Sequence, residues 1–259
     1  MENYRIVRRL AEGRFGTVFL ANSLLTGEDV AVKKIRARRP LPGGLGDPWS
    51  KSASREIQVL QQVEHKNIVR LLYNTPATDA GTTTLVYEFV RWDLQLILEK
   101  HRRVSKDGLS RAVSKAGIQM LLAAVAHLHC VGVMHRDLKP SNILVEHSTG
   151  IFKVADFGSS RFATPRDDDP AASNQMTQDV CTRWYKSPEM LFGSVNYTVA
   201  VDLWSSGCIF GEMVSQHLEP LFCGRSDIEQ LCYIFKVTGT PDQTEWADVR
   251  LLPDYGKVE

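Results

Sequence analysis

The chain lacks several features that would restrict its function. It has only 5 cysteines in 259 residues, scattered without a C-x-x-C pair, so neither a disulfide framework nor a zinc site is predicted. Its 31 Lys and Arg residues face 30 Asp and Glu residues, and the net charge of +1 gives no global field for nucleic acid or an anionic membrane. We therefore expect reduced thiols and neither nucleic acid nor a membrane as a partner.

Long hydrophobic segments are also absent. The N-terminal stretch MENYRIVRRL is too polar for a signal peptide, and the most apolar helical stretch, residues 118–128, is too short to cross a bilayer. These absences predict a protein of the cytoplasm, the nucleus or both. The length suits one large domain or two lobes.

The first third of the chain has the pattern of a small sheet. The runs YRIVRRL, TVFLA and DVAVKKI are short, rich in β-branched residues and separated by turn signals, which predicts an antiparallel meander. SREIQVLQQV, which follows the third run, predicts a helix with Ser52 or Ser54 as its N-cap, and IVRLLY and TTLVYEFV after it predict two further strands.

The rest of the chain is mainly helical. SRAVSKAGIQMLLAAVAHLHCVG predicts a long helix that ends near Gly132, and VAVDLWSSGCIFGEMV is so apolar that we expect a helix buried on all sides. The predicted fold class is α+β, with a β-rich N-terminal lobe carrying one helix (1–88), a connection (89–93) and a mainly helical C-terminal lobe (94–259).

The most informative segment is HRDLKPSN, residues 135–142. Asp137 and Asn142 let one loop present a carboxylate and a metal-binding amide together. DFG follows, with Asp156 at the end of a predicted strand, while Lys33 lies in the third strand and Glu56 on the N-terminal helix. A lone lysine, glutamate or DFG would be unremarkable, but the ordered set is specific.

These segments resemble, in order and spacing, the signatures of eukaryotic protein kinases. The resemblance covers nearly the whole chain and implies a bilobal protein-kinase fold with ATP and Mg²⁺ as cofactors. It implies that Lys33 holds the α/β-phosphates and pairs with Glu56, and that Asn142 and Asp156 hold the metal. Asp137 then orients the attacking hydroxyl and accepts its proton.

The same resemblance extends to the surroundings of these residues. It implies that Lys139 contacts the γ-phosphate, that Thr182 hydrogen-bonds Asp137 and Lys139, and that Asp202 braces the backbone of the catalytic loop. Tyr87 fills the gatekeeper position at the back of the nucleotide pocket. The remaining expected nucleotide contacts are Leu10, Gly13, Gly16, Val18, Ala31, Glu88, Val90 and Leu144.

The stretch LAEGRFGTV departs from the kinase pattern. Gly13 and Gly16 fit a loop over phosphates, but Ala11 stands where the first glycine of G-x-G-x-x-G is expected. We expect the hairpin to tolerate Ala11 if its φ is negative. Arg14 and Phe15 replace the inhibitory Thr-Tyr pair of many cyclin-dependent kinases, so that regulatory switch is not expected.

Smaller segments indicate the branch. TRWYKSPEML, VDLWSSGCIFGEM and DIEQLCYIFKVTGTP resemble the CMGC group, which contains cyclin-dependent and mitogen-activated kinases. Within that group the chain is most similar to the cell-cycle-related kinase branch. This implies Ser/Thr-Pro sites in protein substrates and a role in the cell cycle or in cilium or flagellum assembly, with the base of that organelle as a further location.

The branch also implies regulation. Thr177 lies at the activation-segment position that an upstream activating kinase phosphorylates, and Arg55, Arg136 and Arg161 are positioned to receive that phosphate. WSKSASREI replaces the PSTAIRE-type text of standard cyclin partners, so a cyclin-like activating subunit is left open.

Two function classes remain open from the sequence. Related kinases continue past the point that matches Glu259 through further helices, so we expect an incomplete C-terminal lobe and uncovered apolar surface on the helix at 199–214. The chain is then either an active Ser/Thr kinase, or a pseudokinase or truncated scaffold that binds nucleotide or partners without efficient transfer. Retention of Lys33, Asp137 and Asp156 favours the enzyme.

Overall fold

The structure is a computed structural model that describes residues 3–13, 16–36, 48–75, 82–105, 107–163 and 182–257. Thr177, the expected activation site, and the Arg14-Phe15 pair lie outside the described residues. Among the residues that are described, no helix combines the length and apolar character needed to cross a membrane.

The N-terminal lobe is built on a five-stranded antiparallel sheet with the order β1-β2-β3-β5-β4. Its strands are β1 (Tyr4–Gly13), β2 (Gly16–Ser23), β3 (Asp29–Arg36), β4 (Leu71–Thr75) and β5 (Thr82–Glu88). The predicted meander is confirmed. β4 starts later than IVRLLY suggested, because Ile68 instead forms a single parallel bridge with Val154 of the C-terminal lobe.

One helix, α1 (Pro48–Gln62), packs against this sheet. It begins at a proline, which suits the first turn of a helix, so the predicted N-caps Ser52 and Ser54 lie inside the helix instead. Ala53, Glu56 and Leu60 follow at helical spacing and are all buried. The buried face of α1 thus carries one carboxylate into the protein.

The C-terminal lobe contains the other helices. They are α2 (Leu94–Val104), α3 (Arg111–Cys130), α4 (Pro188–Leu191), α5 (Ala200–Val214) and α6 (Asp227–Thr238). α3 ends as predicted, since Gly132 follows its C-cap with φ 74°, a conformation that glycine adopts easily. Gly117 lets α3 approach α5, because a Cβ there would lie 2.7 Å from Cε of Met213.

The prediction that α5 is buried on all sides is wrong. Leu203 and Val214 are each 51% exposed and Phe210 is 36% exposed, and their spacing places them on one face. The opposite face is buried and includes polar residues, among them Asp202 and Glu212. Apolar composition identified the helix correctly but does not tell which of its faces other elements cover.

Five short strands among the described residues form two small sheets that hold the catalytic segments in place. They are β6 (Trp92–Asp93), β7 (Val133–Met134), β8 (Ile143–Val145), β9 (Phe152–Val154) and β10 (Arg161–Phe162), which form the sheets β6-β8-β9 and β10-β7. The HRDLKPSN segment, called the catalytic loop below, runs from the end of β7 to the start of β8. Asp156 follows β9, so these strands bring the two motifs together.

Candidate active site

A cavity of about 310 Å³ lies between the two lobes. Most of the expected nucleotide contacts line it: Leu10, Gly16, Val18, Ala31, Lys33, Glu56, Glu88, Val90, Asn142, Leu144 and Asp156. Of the other predicted site residues whose surroundings are described, Asp137, Lys139 and Thr182 do not line it. The cavity also includes Val69, Phe89, Ser141 and Ala155, which the sequence did not single out.

The β1–β2 hairpin forms one wall of this cavity. Gly16 has φ 136°, and a Cβ there would lie 2.4 Å from the carbonyl oxygen of Lys34, so only glycine fits. Ala11 pairs with Val18 beside an irregularity in the ladder. Ala11 is not one of the described non-glycine residues with a positive φ, so the hairpin can accept alanine there as expected.

A group of side chains at the back of the cavity, the Lys33 cluster, consists of the buried Lys33, Glu56 and Tyr87 and the half-buried Asp156. Nζ of Lys33 is 2.9 Å from both carboxylate oxygens of Glu56 and 2.8 Å from Oδ1 of Asp156. The hydroxyl of Tyr87 donates to Oε1 of Glu56 at 2.6 Å. The structure therefore brings the predicted lysine, glutamate and DFG aspartate into direct contact.

These contacts shift the protonation of the cluster. Burial by itself lowers the pKa of Lys33, but the Asp156 and Glu56 carboxylates outweigh it and raise that pKa above its ordinary value. Burial by itself raises the pKa of Asp156, and the Lys33 charge outweighs it and lowers that pKa. Lys33 is thus held as an ammonium and Asp156 as a carboxylate.

A second group, the Asp202 cluster, fixes the start of the catalytic loop and consists of His129, His135, Arg136 and Asp202. The two carboxylate oxygens of Asp202 accept the backbone N–H groups of His135 and Arg136, each at 2.8 Å. His129 Nε2 lies 2.9 Å from Oδ2 of the same carboxylate. Arg136 has φ 66°, a backbone conformation unusual for a residue with a side chain.

His135 links the catalytic loop to the DFG segment. Its Nδ1 accepts the N–H of Asp137 at 3.2 Å, so its Nε2 carries the proton and donates to the carbonyl of Ala155 at 3.0 Å. The ring also meets the edge of Phe157, with 5.0 Å between ring centroids. Asp156, like Arg136, has a positive φ, here 62°.

Asp137 is held by donors on several sides. Its Oδ1 accepts the N–H of Thr182 at 3.0 Å, and its Oδ2 accepts from Nζ of Lys139 at 2.8 Å and from Nδ2 of Asn142 at 3.2 Å. Lys139 also donates to the hydroxyl of Thr182 at 3.0 Å. The predicted set Asp137, Lys139, Asn142 and Thr182 therefore forms one connected network.

Comparison with known proteins agrees with this geometry. The family model of the protein kinase domain matches residues 4–252. Cyclin-dependent kinase 20 of Homo sapiens is 41% identical over 259 residues, covering 100% of this chain and 69% of the human protein. The proteins of that name from Danio rerio and Mus musculus are 42% and 40% identical over 258 residues, covering 70% and 69% of those proteins.

The chain belongs to the protein kinase family. Within it, the chain is a cyclin-dependent-kinase-like member of the CMGC group and a Ser/Thr protein kinase that uses ATP and Mg²⁺. The fold, with a β-sheet N-terminal lobe and a helical C-terminal lobe, is that of the kinase domain.

The residues of this kinase fit a magnesium ion. Nδ2 of Asn142 donates to the main-chain oxygen of Asp137 at 2.7 Å as well as to its carboxylate, which leaves Oδ1 of Asn142 as an acceptor. Asp156 lines the same cavity as a carboxylate. Since Mg²⁺ binds proteins through one or two oxygen ligands completed by phosphates, this pair suffices without a denser acidic cluster, and the described residues contain none.

Two of the three expected phosphate-binding arginines lie close together in the kinase. Arg136 donates to the carbonyl of Ser159 at 2.8 Å and to the hydroxyl of Tyr197 at 2.9 Å. Burial lowers the pKa of Arg136, and the charge of Arg161 acts in the same direction, although the contacts with Tyr197 oppose it. Arg55 lies on α1 beside Glu56 and is half-buried.

Several contacts in the kinase site were not predicted from the sequence. These are the hydrogen bond from Tyr87 to Glu56, the contact of His129 with Asp202, and the bond of Arg136 to Tyr197. Each joins residues that lie far apart in the chain. The sequence indicates the catalytic-loop backbone as the partner of Asp202 and places Tyr87 at the gatekeeper position, but no spacing rule indicates His129 as a further partner of Asp202 or Glu56 as the partner of Tyr87.

Proposed function

We propose that this kinase transfers the γ-phosphate of ATP to a Ser or Thr hydroxyl, with Asp137 as the residue that orients the hydroxyl and accepts its proton. The observation that carries the proposal is the network of Thr182, Lys139 and Asn142 around the Asp137 carboxylate. The hydroxyl oxygen forms the new P–O bond, the bond to the β-phosphate oxygen breaks, and ADP leaves.

The other predicted residues have supporting roles in this proposal. Lys33, aligned by Glu56, binds the α/β-phosphates, and Lys139 binds the γ-phosphate. Asn142 and Asp156 hold Mg²⁺, which when bound neutralises charge on the phosphate oxygens. The apolar side chains of Leu10, Val18, Ala31 and Leu144 enclose the adenine, while backbone groups of Glu88 and Val90 hydrogen-bond its edge.

The test is transfer of labelled phosphate from ATP to a Ser-Pro peptide. Asp137→Asn keeps the shape of the side chain but removes the proton acceptor, so we expect transfer to fall by about 10²–10⁴-fold. Asp107→Asn makes the same change at an exposed position and controls for it. Equal transfer by Asp137→Asn and the wild type would favour the alternative function, a kinase-fold scaffold.

We further propose that the kinase is proline-directed and acts on Ser/Thr-Pro sites of protein substrates. Its support is the TRWYKSPEML segment, whose Thr182 contacts Asp137 directly. A matched pair of peptides that differ only in Pro or Ala after the serine measures this. We expect kcat/KM to be about 10-fold higher for the Ser-Pro peptide, and equal values would reject proline direction.

Phosphorylation of Thr177 by an upstream kinase is the activation step that we propose. Its support is the pair of neighbouring buried arginines, Arg136 and Arg161, since a dianion that meets arginines can order a loop. Thr177→Ala should lower activity strongly, whereas Thr177→Ser keeps a phosphate acceptor and should retain it. Wild-type activity of Thr177→Ala would reject the proposal.

The cellular setting is also a proposal. We propose a regulatory role in the cell cycle or in cilium or flagellum assembly, and its support is the resemblance of the sequence segments to the cell-cycle-related kinase branch. It fits a location in the cytoplasm, the nucleus or both, with the organelle base as a further site. A cyclin-like subunit is the partner to seek by purifying the kinase from its own cells under native conditions.

A further inference from the structure

Tyr87 occupies a central place in the N-terminal sheet. It lies on β5, where its neighbours across the two ladders are Ala31 of β3 and Leu71 of β4. Its side chain is buried and reaches towards α1, where the hydroxyl meets Glu56 at 2.6 Å. Because β5 is hydrogen-bonded to a strand on each side, its position is firmly held, and a side chain on it can fix the position of a helix packed on the sheet.

Glu56 therefore has two anchors in the same sheet. Lys33 comes from β3 and Tyr87 from the adjacent strand β5, and both donate to Oε1 of Glu56. The two anchors differ in their other duties. Both side chains line the cavity, but Lys33 also contacts Asp156, whereas the hydroxyl of Tyr87 has Glu56 as its acceptor.

We propose that Tyr87 is a positioning residue, whose hydroxyl holds α1 in place through Glu56 and so keeps Glu56 directed at Lys33 during phosphate transfer. The inference rests on the proposed roles of Lys33 and Glu56. It assigns to the gatekeeper side chain a hydrogen-bonding role in addition to its bulk.

Proton donors explain why a second anchor matters. The ammonium of Lys33 has three N–H groups, and in this structure it contacts two oxygens of Glu56 and one of Asp156. Contact with phosphate must redirect at least one of these N–H groups. The bond from Tyr87 needs no such exchange, so it holds Glu56 while Lys33 changes partners.

The hydroxyl of Tyr87 keeps its proton throughout. Burial and the neighbouring Glu56 carboxylate both raise the pKa of Tyr87 well above its ordinary value. It therefore remains a neutral donor across the working pH range, and a donor to a carboxylate forms one of the stronger kinds of hydrogen bond.

Tyr87→Phe tests the proposal because it removes only the hydroxyl. We expect amide hydrogen exchange in the part of α1 that surrounds Glu56, residues 53–60, to become about 10-fold faster in the nucleotide-free protein. In transfer assays kcat should fall about 5- to 10-fold, while KM for ATP changes less than about 2-fold, because the lost contact aligns Lys33 for the transition state.

Tyr185→Phe is the matched control. Tyr185 is also buried and donates to a glutamate, Glu212, at 2.7 Å, but this pair lies in the C-terminal lobe. Loss of the Tyr185 hydroxyl should lower the thermal midpoint about as much as loss of the Tyr87 hydroxyl does, but it should leave hydrogen exchange in α1 unchanged. Faster exchange of α1 in both variants would indicate general destabilisation and would overturn the proposal.

A second measurement shows whether Tyr87 acts through Glu56. In a Glu56→Leu background no side-chain oxygen remains to accept the Tyr87 hydroxyl, so adding Tyr87→Phe should change α1 exchange by less than about 2-fold. A full additional 10-fold effect there, or wild-type exchange in Tyr87→Phe alone, would overturn the proposal. Exchange needs no turnover, so a failure of the proposed kinase activity would be seen separately.

Discussion

The Lys33 cluster and the Asp202 cluster of the active site are held by different kinds of contact. Every hydrogen bond described in the Lys33 cluster joins two side chains, and they come from β3, α1, β5 and the segment after β9. The Asp202 cluster instead relies on backbone N–H groups of the catalytic loop that end on one buried carboxylate.

This difference separates a fixed part of the site from an adjustable one. Backbone donors have a direction set by the chain, so the start of the catalytic loop keeps its shape as long as Asp202 stays in α5. The contacts of the Lys33 cluster form only when α1 lies against the sheet and brings Glu56 to Lys33 and Tyr87. We therefore expect changes in activity state to act on the Lys33 cluster and leave the Asp202 cluster in place.

Breaking the Asp202 cluster should have the largest effect. Asp202→Asn leaves one backbone N–H facing an amide NH₂ group in a buried site, so we expect unfolding to become easier by about 2–4 kcal/mol. Phosphate transfer should fall by about 10²-fold because the catalytic loop shifts. Urea denaturation and the Ser-Pro transfer assay measure these effects.

A surface carboxylate provides the matched control for that change. Asp227 pairs with Arg183 at 2.6 Å, but both side chains are 43% exposed, so Asp227→Asn should cost less than about 1 kcal/mol. Equal losses of stability for Asp202→Asn and Asp227→Asn would show that the Asp202 carboxylate is not the fixed part of the site.

A smaller effect is expected where α1 meets the C-terminal lobe. His65, just after α1, stacks on His127 of α3 with ring centroids 5.2 Å apart. Burial, and then the charges of His127 and Lys66, lower the pKa of His65 below its ordinary value of 6.5. Below that pH the unfolded chain binds more protons at this position, so the free energy of unfolding should fall as the medium is acidified.

His127→Phe sharpens this expectation. It keeps a ring for stacking but removes the imidazole whose interaction lowers the pKa of His65, so His65 is protonated more easily in the folded protein. The drop in the free energy of unfolding between about pH 7.5 and about pH 5.5 should be smaller than in the wild type. Urea denaturation at the two pH values measures the difference, and an unchanged drop would contradict the role of the His pair.

The smallest effect concerns the hairpin over the cavity. Because Ala11 does not have a positive φ, Ala11→Gly relieves no strain and should change kcat/KM for ATP by less than about 3-fold. Gly16→Ala is the contrasting variant, since its Cβ would collide with the carbonyl of Lys34. A 100-fold gain of activity in Ala11→Gly would show that the missing glycine limits this kinase.

The sequence predicted the parts of the site that follow a local pattern. Lys33 in a strand, Glu56 on a helix face and Asp137 two residues after His135 each have a spacing that can be recognised, and the structure brings them to one region. Tyr87 and Glu56, or His129 and Asp202, meet only after the lobes fold. Their contact depends on tertiary packing, which no short-range period encodes.

The fold shows the same division. The meander and the long helix α3 were predicted because alternation, helical spacing and Gly132 agree there. Apolar composition by itself gave the wrong result for α5, where Leu203 is exposed, since composition reports how a face prefers to be packed and not whether a neighbour covers it.

The two positive φ angles at the site have a consequence for laboratory evolution. Arg136 and Asp156 both hold a conformation that costs a residue with a side chain about 1 kcal/mol and that glycine adopts freely. Glycine at either position would relieve this cost but would also remove the contacts of Arg136 with Ser159 and Tyr197, or the contact of Asp156 with Lys33. Because a hydrogen bond to a charged group contributes about 1.5–3 kcal/mol, selection for heat tolerance alone should retain both side chains and with them this part of the active site.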